Sequence, residues 1–216
     1  MRKSLLAAFA LSSLLPLSAQ AQSIEALSAA SSAGFETASA FKLPTASPKK
    51  AAVRPAIPYR IGTVQGGMNG FPVDLSFDKR QWTIQGAMNG HPVDVIINHE
   101  NRMIVGGANG SPVDLRFEWA PERILTTGGA NQSPVKLEVV WAQGVLEGFA
   151  NHSPVRLEFD IEAGTVKGTA NHAPVGLGYD KVSGELKGAM NHAPVRVTLV
   201  NLDLFDFIQY FFLFLK

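Results

Sequence analysis

From residue 61 to 200 the chain consists of short runs in which apolar and polar residues alternate. In each repeat, two such runs are separated by a residue pair that begins with asparagine. In the stretch "WTIQGAMNGHPVDVII", such runs lie on both sides of Asn89-Gly90. Alternation with a period of two is typical of β-strands, and Asn-Gly is a strong signal for a type I′ hairpin because both residues tolerate positive φ. The pattern predicts a hairpin with Gln85 and Asp94 on its polar face. Its predicted apolar face holds Trp82, Ile84, Gly86, Val93, Val95 and Ile97.

The same unit occurs seven times, and its asparagines follow one another in steps of 20, 20, 22, 20, 20 and 20 residues. A fixed period of this size indicates a tandem array of one supersecondary unit. We therefore predict an all-β domain over residues 61–200. It is an antiparallel meander of seven hairpins, with about 14 strands of usual length, curled into a barrel or half-barrel. The predicted structural turns are at Asn69, Asn89, Asn109, Asn131, Asn151, Asn171 and Asn191.

The joints between hairpins carry a second turn signal. In "FDIEAGTV" and "YDKVSGEL", an aspartate precedes a glycine by four residues, which suits a four-residue loop built on a type I turn. Across the first joint we expect Val73 to lie opposite Gly86, which places Phe77 beside Trp82. The repeated glycine then makes room on the apolar face between two valines.

A parallel β-solenoid with one coil per repeat is the alternative fold, and in it the asparagines would stack as a ladder. The same stacking would place Asp74, Asp94 and Asp114 about 4.8 Å apart, which is repulsive. In the meander an intervening strand separates these aspartates, so the meander is preferred.

The C-terminal segment 201–216, "NLDLFDFIQYFFLFLK", has helical periodicity. Asp203, Asp206, Gln209 and Tyr210 form one polar stripe, either Asn201 or Asp203 suits the N-cap, and residues 211–215 are all apolar. A helix over residues 203–216 would be about 21 Å long, too short to span a bilayer of about 30 Å. We expect this helix to pack on the apolar inside of the curled sheet. A final strand, or a tail that binds a partner or a membrane, is the alternative.

The N-terminal segment has the features of a secretory signal peptide. Arg2 and Lys3 precede an apolar run over residues 5–17, and Ala19-Gln20-Ala21 matches a cleavage site, so residues 1–21 are the predicted signal. Residues 22–60 are rich in alanine, serine and proline, a composition that predicts a flexible linker. We predict an exported bacterial protein in the periplasm, the outer membrane or the exterior.

The candidate binding residues lie at one repeated position on the polar face of the meander. They are Asp74, Asp94, Asp114, Lys136, Arg156 and Arg196. A second candidate set is the histidine that follows the turn asparagine in three consecutive units, at His152, His172 and His192. Equivalent turns of a meander are on the order of 10 Å apart, so we predict exposed turn residues and not a shared zinc site.

Composition and motifs narrow the function. The chain has no cysteine, and its formal net charge of +1 comes without a basic stripe, so we predict neither thiolate metal sites nor nucleic-acid binding. No catalytic motif has the context it needs. We predict no enzyme activity, no cofactor and no metal site. The expected function is that of a binding or structural module whose partner is an envelope protein or polysaccharide. An outer-membrane β-barrel is the alternative.

Overall fold

The computed structural model describes residues 60–215, which form a closed barrel of 14 antiparallel strands. Each strand pairs with its neighbours along the chain, and β1 pairs with β14 to close the barrel. The predicted meander is thereby confirmed, and of the two predicted forms, a barrel or a half-barrel, the structure shows the closed barrel. The alternative of a parallel solenoid is wrong, because every strand pair is antiparallel. The predicted signal peptide (1–21), nearly all of the predicted linker (22–60) and Lys216 lie outside the described residues.

The strands have six to nine residues. Their bounds are β1 Ile61–Met68, β2 Phe71–Asp78, β3 Thr83–Met88, β4 His91–Asn98, β5 Met103–Ala108, β6 Ser111–Trp119, β7 Arg123–Ala130, β8 Ser133–Val140, β9 Val145–Ala150, β10 Ser153–Asp160, β11 Thr165–Ala170, β12 Ala173–Tyr179, β13 Glu185–Met190 and β14 Ala193–Val200.

The seven asparagine turns have the predicted conformation. Asn89 has a φ of 53° and Gly90 a φ of 77°, so both central residues are left-handed, as a type I′ turn requires. The same conformation is kept where the second residue is not glycine, as at His152 with a φ of 58°. The asparagine and the short loop, more than the glycine, therefore define the turn.

Replacing Gly90 with valine is expected to cost about 1–2 kcal/mol, because a β-branched residue is strained at positive φ. Gly90→Asn is the matched control, since asparagine tolerates this region and its stability should change by less than the valine variant's. Thermal unfolding followed by circular dichroism measures both. Equal melting temperatures for the two variants would contradict a left-handed backbone at this position.

The register within the hairpins is confirmed, but the register across the joints is shifted. Gly86 faces Val93 within its hairpin, as predicted, whereas across the first joint it faces Leu75 and not Val73. The cause lies in the loop. Asp78 is the last residue of β2, and its carboxylate accepts the backbone N–H groups of Arg80 and Gln81 at 2.8 and 3.0 Å. Trp82, which was expected to continue the strand, is instead the last loop residue, with a φ of 56°.

The apolar face of the sheet forms the inside of the barrel, and the tail fills it. The tail forms two short helices, α1 (Leu204–Gln209) and α2 (Phe211–Phe214), where one helix was expected. Asp203 caps α1 as predicted, with a capping box in which Asp206 takes part. The break falls at Tyr210, whose ring packs on Phe77 of the barrel wall at 5.5 Å. No helix among residues 60–215 has the length and apolarity needed to cross a membrane.

Candidate functional site

The predicted polar-face residues lie on the outer surface of the barrel. Asp74, Asp94 and Asp114 project from β2, β4 and β6, and Lys136, Arg156 and Arg196 from β8, β10 and β14; all six are exposed. Closure places Arg196 on β14 only two strands from Asp74 on β2, with β1 between them, so the acidic and basic members do not lie on opposite sides of the barrel. Whether any of them contacts a ligand stays a prediction.

Their contacts are those of solvated surface groups. Asp94 accepts from the Gln85 amide at 3.2 Å, and Arg156 lies 3.5 Å from its cross-strand neighbour Glu147. Exposed pairs of this kind contribute about 0–1 kcal/mol each. Most of these six side chains therefore contribute little to stability and remain available to bind a ligand.

The end of the barrel with the asparagine turns is held together by a ring of side-chain amides. Six Asn–Asn hydrogen bonds of 2.6–3.2 Å join the turn asparagines, and the last of them, from Asn191 to Asn69, crosses the closure of the barrel. The ring is interrupted between Asn109 and Asn131, which both donate to the Leu215 carbonyl at 2.9 Å. The amide ladder that seemed to require a solenoid thus exists in the meander. These asparagines have a structural role, since their amides hydrogen-bond neighbouring turns to one another and to the tail.

The repeat histidines are exposed turn residues. His152, His172 and His192 all lie at the surface, and the His152 backbone N–H donates to the Ser133 hydroxyl at 2.9 Å. Within residues 60–215, no group of three or more histidine, aspartate or glutamate side chains is arranged to hold a metal ion.

The opposite end of the barrel carries a cluster of aromatic rings. His99 packs edge-on against Trp82 at 4.1 Å and against Trp119 at 5.2 Å, and Trp119 also reaches Tyr210 of the tail at 6.1 Å. Burial lowers the pKa of His99, which favours its neutral form in this cluster. His99 lies in a loop and outside the alternating pattern, so no sequence signal indicated its place in this cluster.

One ion pair anchors the tail at this end. The Lys79 ammonium lies 2.9 Å from the carboxylate of Asp206, whose side chain is only 3% exposed. The predicted polar stripe of the tail therefore does not face solvent at Asp206, since the barrel encloses it. This pair and the capping box satisfy a carboxylate whose burial would otherwise be costly.

Replacing Lys79 with methionine is expected to cost about 2–3 kcal/mol, because it leaves the Asp206 carboxylate buried without its cation. The double variant Lys79→Met/Asp206→Asn should recover most of the loss, since the amide oxygen can keep the capping bond. Lys181→Met breaks an exposed pair with Glu162 and serves as the control, with a change below about 1 kcal/mol. Urea unfolding measures all three, and a loss at Lys181 as large as that at Lys79 would contradict the proposed anchor.

A groove of about 590 Å³ lies on the outer surface where β1 meets β14, and we call it the seam groove. Two rows of outward residues cross β2, β1, β14 and β13 here. The first row is Pro72, Gly67, Arg196 and Lys187, and the second is Asp74, Gln65, Thr198 and Glu185. The groove lining comprises Gln65, Gly66, Gly67, Met68, Gly70, Phe71, Pro72, Glu185, Pro194, Arg196 and Thr198.

Gly67 creates the depth of the seam groove. It lies between Pro72 and Arg196, and a methyl group at Gly67 would approach only the Phe71 carbonyl oxygen, at 3.8 Å. Of the predicted polar-face residues, only Arg196 lines this groove. The sequence could not indicate the other members, because β1 and β14 are distant in the chain and become neighbours only when the barrel closes.

These features define an all-β, closed meander barrel with a filled interior and a polar outer surface. No protein-family model, curated protein or solved structure matches this chain.

Proposed function

We propose that this protein is a non-enzymatic, exported binding module of the bacterial cell envelope that acts through the outer surface of its barrel, with the seam groove as its binding site. The observation that carries the proposal is the seam groove itself. Its volume lies within the range of about 300–1,000 Å³ that is usual for ligand sites. The signal-like segment 1–21 supports export, and the absence of catalytic motifs supports binding without chemistry.

The interior of the barrel is a poor candidate for the binding site. The side chains of the tail are largely buried among those of the strands, and Phe211 and Phe214 are each 1% exposed. A ligand inside the barrel would have to displace the tail. We therefore assign binding to the outside.

The outer-membrane alternative shares the closed barrel of 14 antiparallel strands. A barrel in lipid requires an apolar outward band about 25 Å tall. Here the apolar residues point inward, and charged residues such as Asp94 and Arg156 project outward from the middle of their strands. This distribution, with apolar side chains inside and charged side chains outside, favours the binding module over the membrane barrel.

Filling the groove tests the proposal. We expect Gly67→Gln to reduce binding of the purified protein to isolated bacterial envelope fractions at least tenfold, because the new side chain occupies the groove without backbone strain. Gly107→Gln is the matched control, since Gly107 has the same place in its hairpin and an equally open surround. Co-sedimentation with sacculi and with outer-membrane vesicles measures the binding. Equal binding by both variants, or none by the parent protein, would contradict the proposed function.

A further inference from the structure

We propose that the seam groove binds a neutral, linear saccharide chain. This inference rests on the proposed function, because it names the ligand class of the same groove. It follows from the charge of the groove, from its hydrogen-bonding groups and from the closure of the barrel.

The charges around the groove cancel. The Arg196 guanidinium lies 3.1 Å from Glu185, and Lys187 lies 3.5 Å from the same carboxylate. Asp74, at the other end of the two rows, supplies the second negative charge. Two cations and two anions favour neither a polyanion nor a polycation, so electrostatics favour a ligand without net charge.

The polar groups of the groove suit hydroxyl groups. The Thr198 hydroxyl and the Gln65 amide each offer both a donor and an acceptor, as a sugar hydroxyl does. The Arg196–Glu185 pair places donors beside acceptors, so that two adjacent hydroxyls of one ring can bond to it together. Pro72 and Pro194, both exposed, supply apolar walls for the C–H faces of sugar rings.

The seam groove lacks the features that bind peptide ligands in known recognition modes. An extended peptide binds by adding a strand to a free sheet edge, but β1 pairs with β2 on one side and β14 on the other. A phosphopeptide needs a cluster of arginines, whereas the groove contains Arg196 alone, already paired with Glu185. A polyproline helix needs a groove lined with several aromatic rings, and here Phe71 is the single aromatic residue in the lining.

Titration calorimetry of the full chain with defined oligomers tests this inference. The neutral probes are cellohexaose, laminarihexaose, maltohexaose and chitohexaose, the anionic probe is an alginate hexamer, and the peptide probe is decaproline. We expect at least one neutral hexasaccharide to bind. Arg196→Ala and Thr198→Val should each weaken that binding at least tenfold, and Gly67→Gln should abolish it. Arg116→Ala, which changes an exposed arginine on β6 outside the groove lining, should stay within twofold of the parent protein.

The outcomes separate the ligand class from the function. If only the anionic or the peptide probe binds, or if no neutral hexasaccharide binds while binding to envelope fractions still depends on Gly67, the saccharide assignment is wrong and the binding module stands. If a neutral hexasaccharide binds equally well to Gly67→Gln, the assignment to this groove is wrong. If binding to envelope fractions does not depend on Gly67, the proposed function fails and the inference fails with it. Circular dichroism of each variant confirms that loss of binding is not loss of fold.

Discussion

Deleting residues 202–216 is expected to leave a barrel that aggregates or binds a hydrophobic dye. Fourteen strands about 4.8 Å apart and tilted by about 40° enclose a cylinder roughly 28 Å across. Inward side chains leave a central space of roughly the diameter of one helix, about 10 Å. The tail occupies this space, and its apolar side chains contribute about 1.5–3 kcal/mol each when fully buried. The buried members of the tail are Leu202, Leu204, Phe205, Phe207, Ile208, Tyr210, Phe211, Phe212, Leu213, Phe214 and Leu215.

A net stability of about 5–15 kcal/mol cannot absorb the loss of so many buried side chains. The deletion also removes Asp206 from Lys79 and removes the Leu215 carbonyl group that bridges Asn109 and Asn131. Dye binding and size-exclusion chromatography measure the outcome. Phe211→Ala in the full chain is the milder companion variant and should cost about 3–5 kcal/mol. A truncated protein that stays monomeric and keeps the parent's melting temperature would show that the barrel does not depend on the tail.

Replacing Gly148 with alanine is expected to destabilise the barrel by about 3 kcal/mol or more. Gly148 has a φ of 144° in the middle of β9, a region that residues with a side chain rarely adopt. An added methyl group would also overlap the Lys136 carbonyl oxygen of the neighbouring strand. The strand pair would therefore have to separate or change its backbone, and the melting temperature should fall by about 6–12 °C.

Gly176→Ala is the matched control for this prediction. Gly176 lies in a strand of the same sheet, but no heavy atom lies within 4 Å of an added methyl group. We expect a change of less than about 0.5 kcal/mol, as for an ordinary surface substitution. Differential scanning calorimetry compares the two variants with the parent protein. If both alanine variants have the same melting temperature, close packing does not explain why residue 148 is glycine.

The sequence predicted the hairpin unit because its signals are local. The period-two alternation around Asn89 defines two faces, and a two-residue turn leaves one register that separates them. The pairing of Gly86 with Val93 follows directly. The joints were misplaced because the residue that closes the loop, Trp82, has no sequence signal for positive φ, unlike the glycine at the same place in later repeats.

Contacts between neighbouring turns explain why the second turn residue is glycine in some repeats and histidine in others. The residue after one turn packs on the next turn. The Phe71 ring would lie 3.7 Å from a methyl group at Gly90, whereas the small Ser133 accepts a hydrogen bond from the backbone of His152. A large residue after one turn thus faces glycine in the next turn, and a small residue faces histidine. This complementarity arises between residues 19 apart, so it is invisible within a single unit.

What the sequence determined by itself is the strand, the turn, the number of units and the apolar character of the tail, because each depends on residues within one hairpin or one helix. Only the tertiary structure decided that the sheet closes, that the tail enters it and breaks at Tyr210, and that Gly67 lies between Pro72 and Arg196. The bond from Asn191 to Asn69 joins residues 122 positions apart. No local pattern encodes such a contact, because it forms only when the small twist and tilt of 14 strands accumulate to bring the first strand against the last.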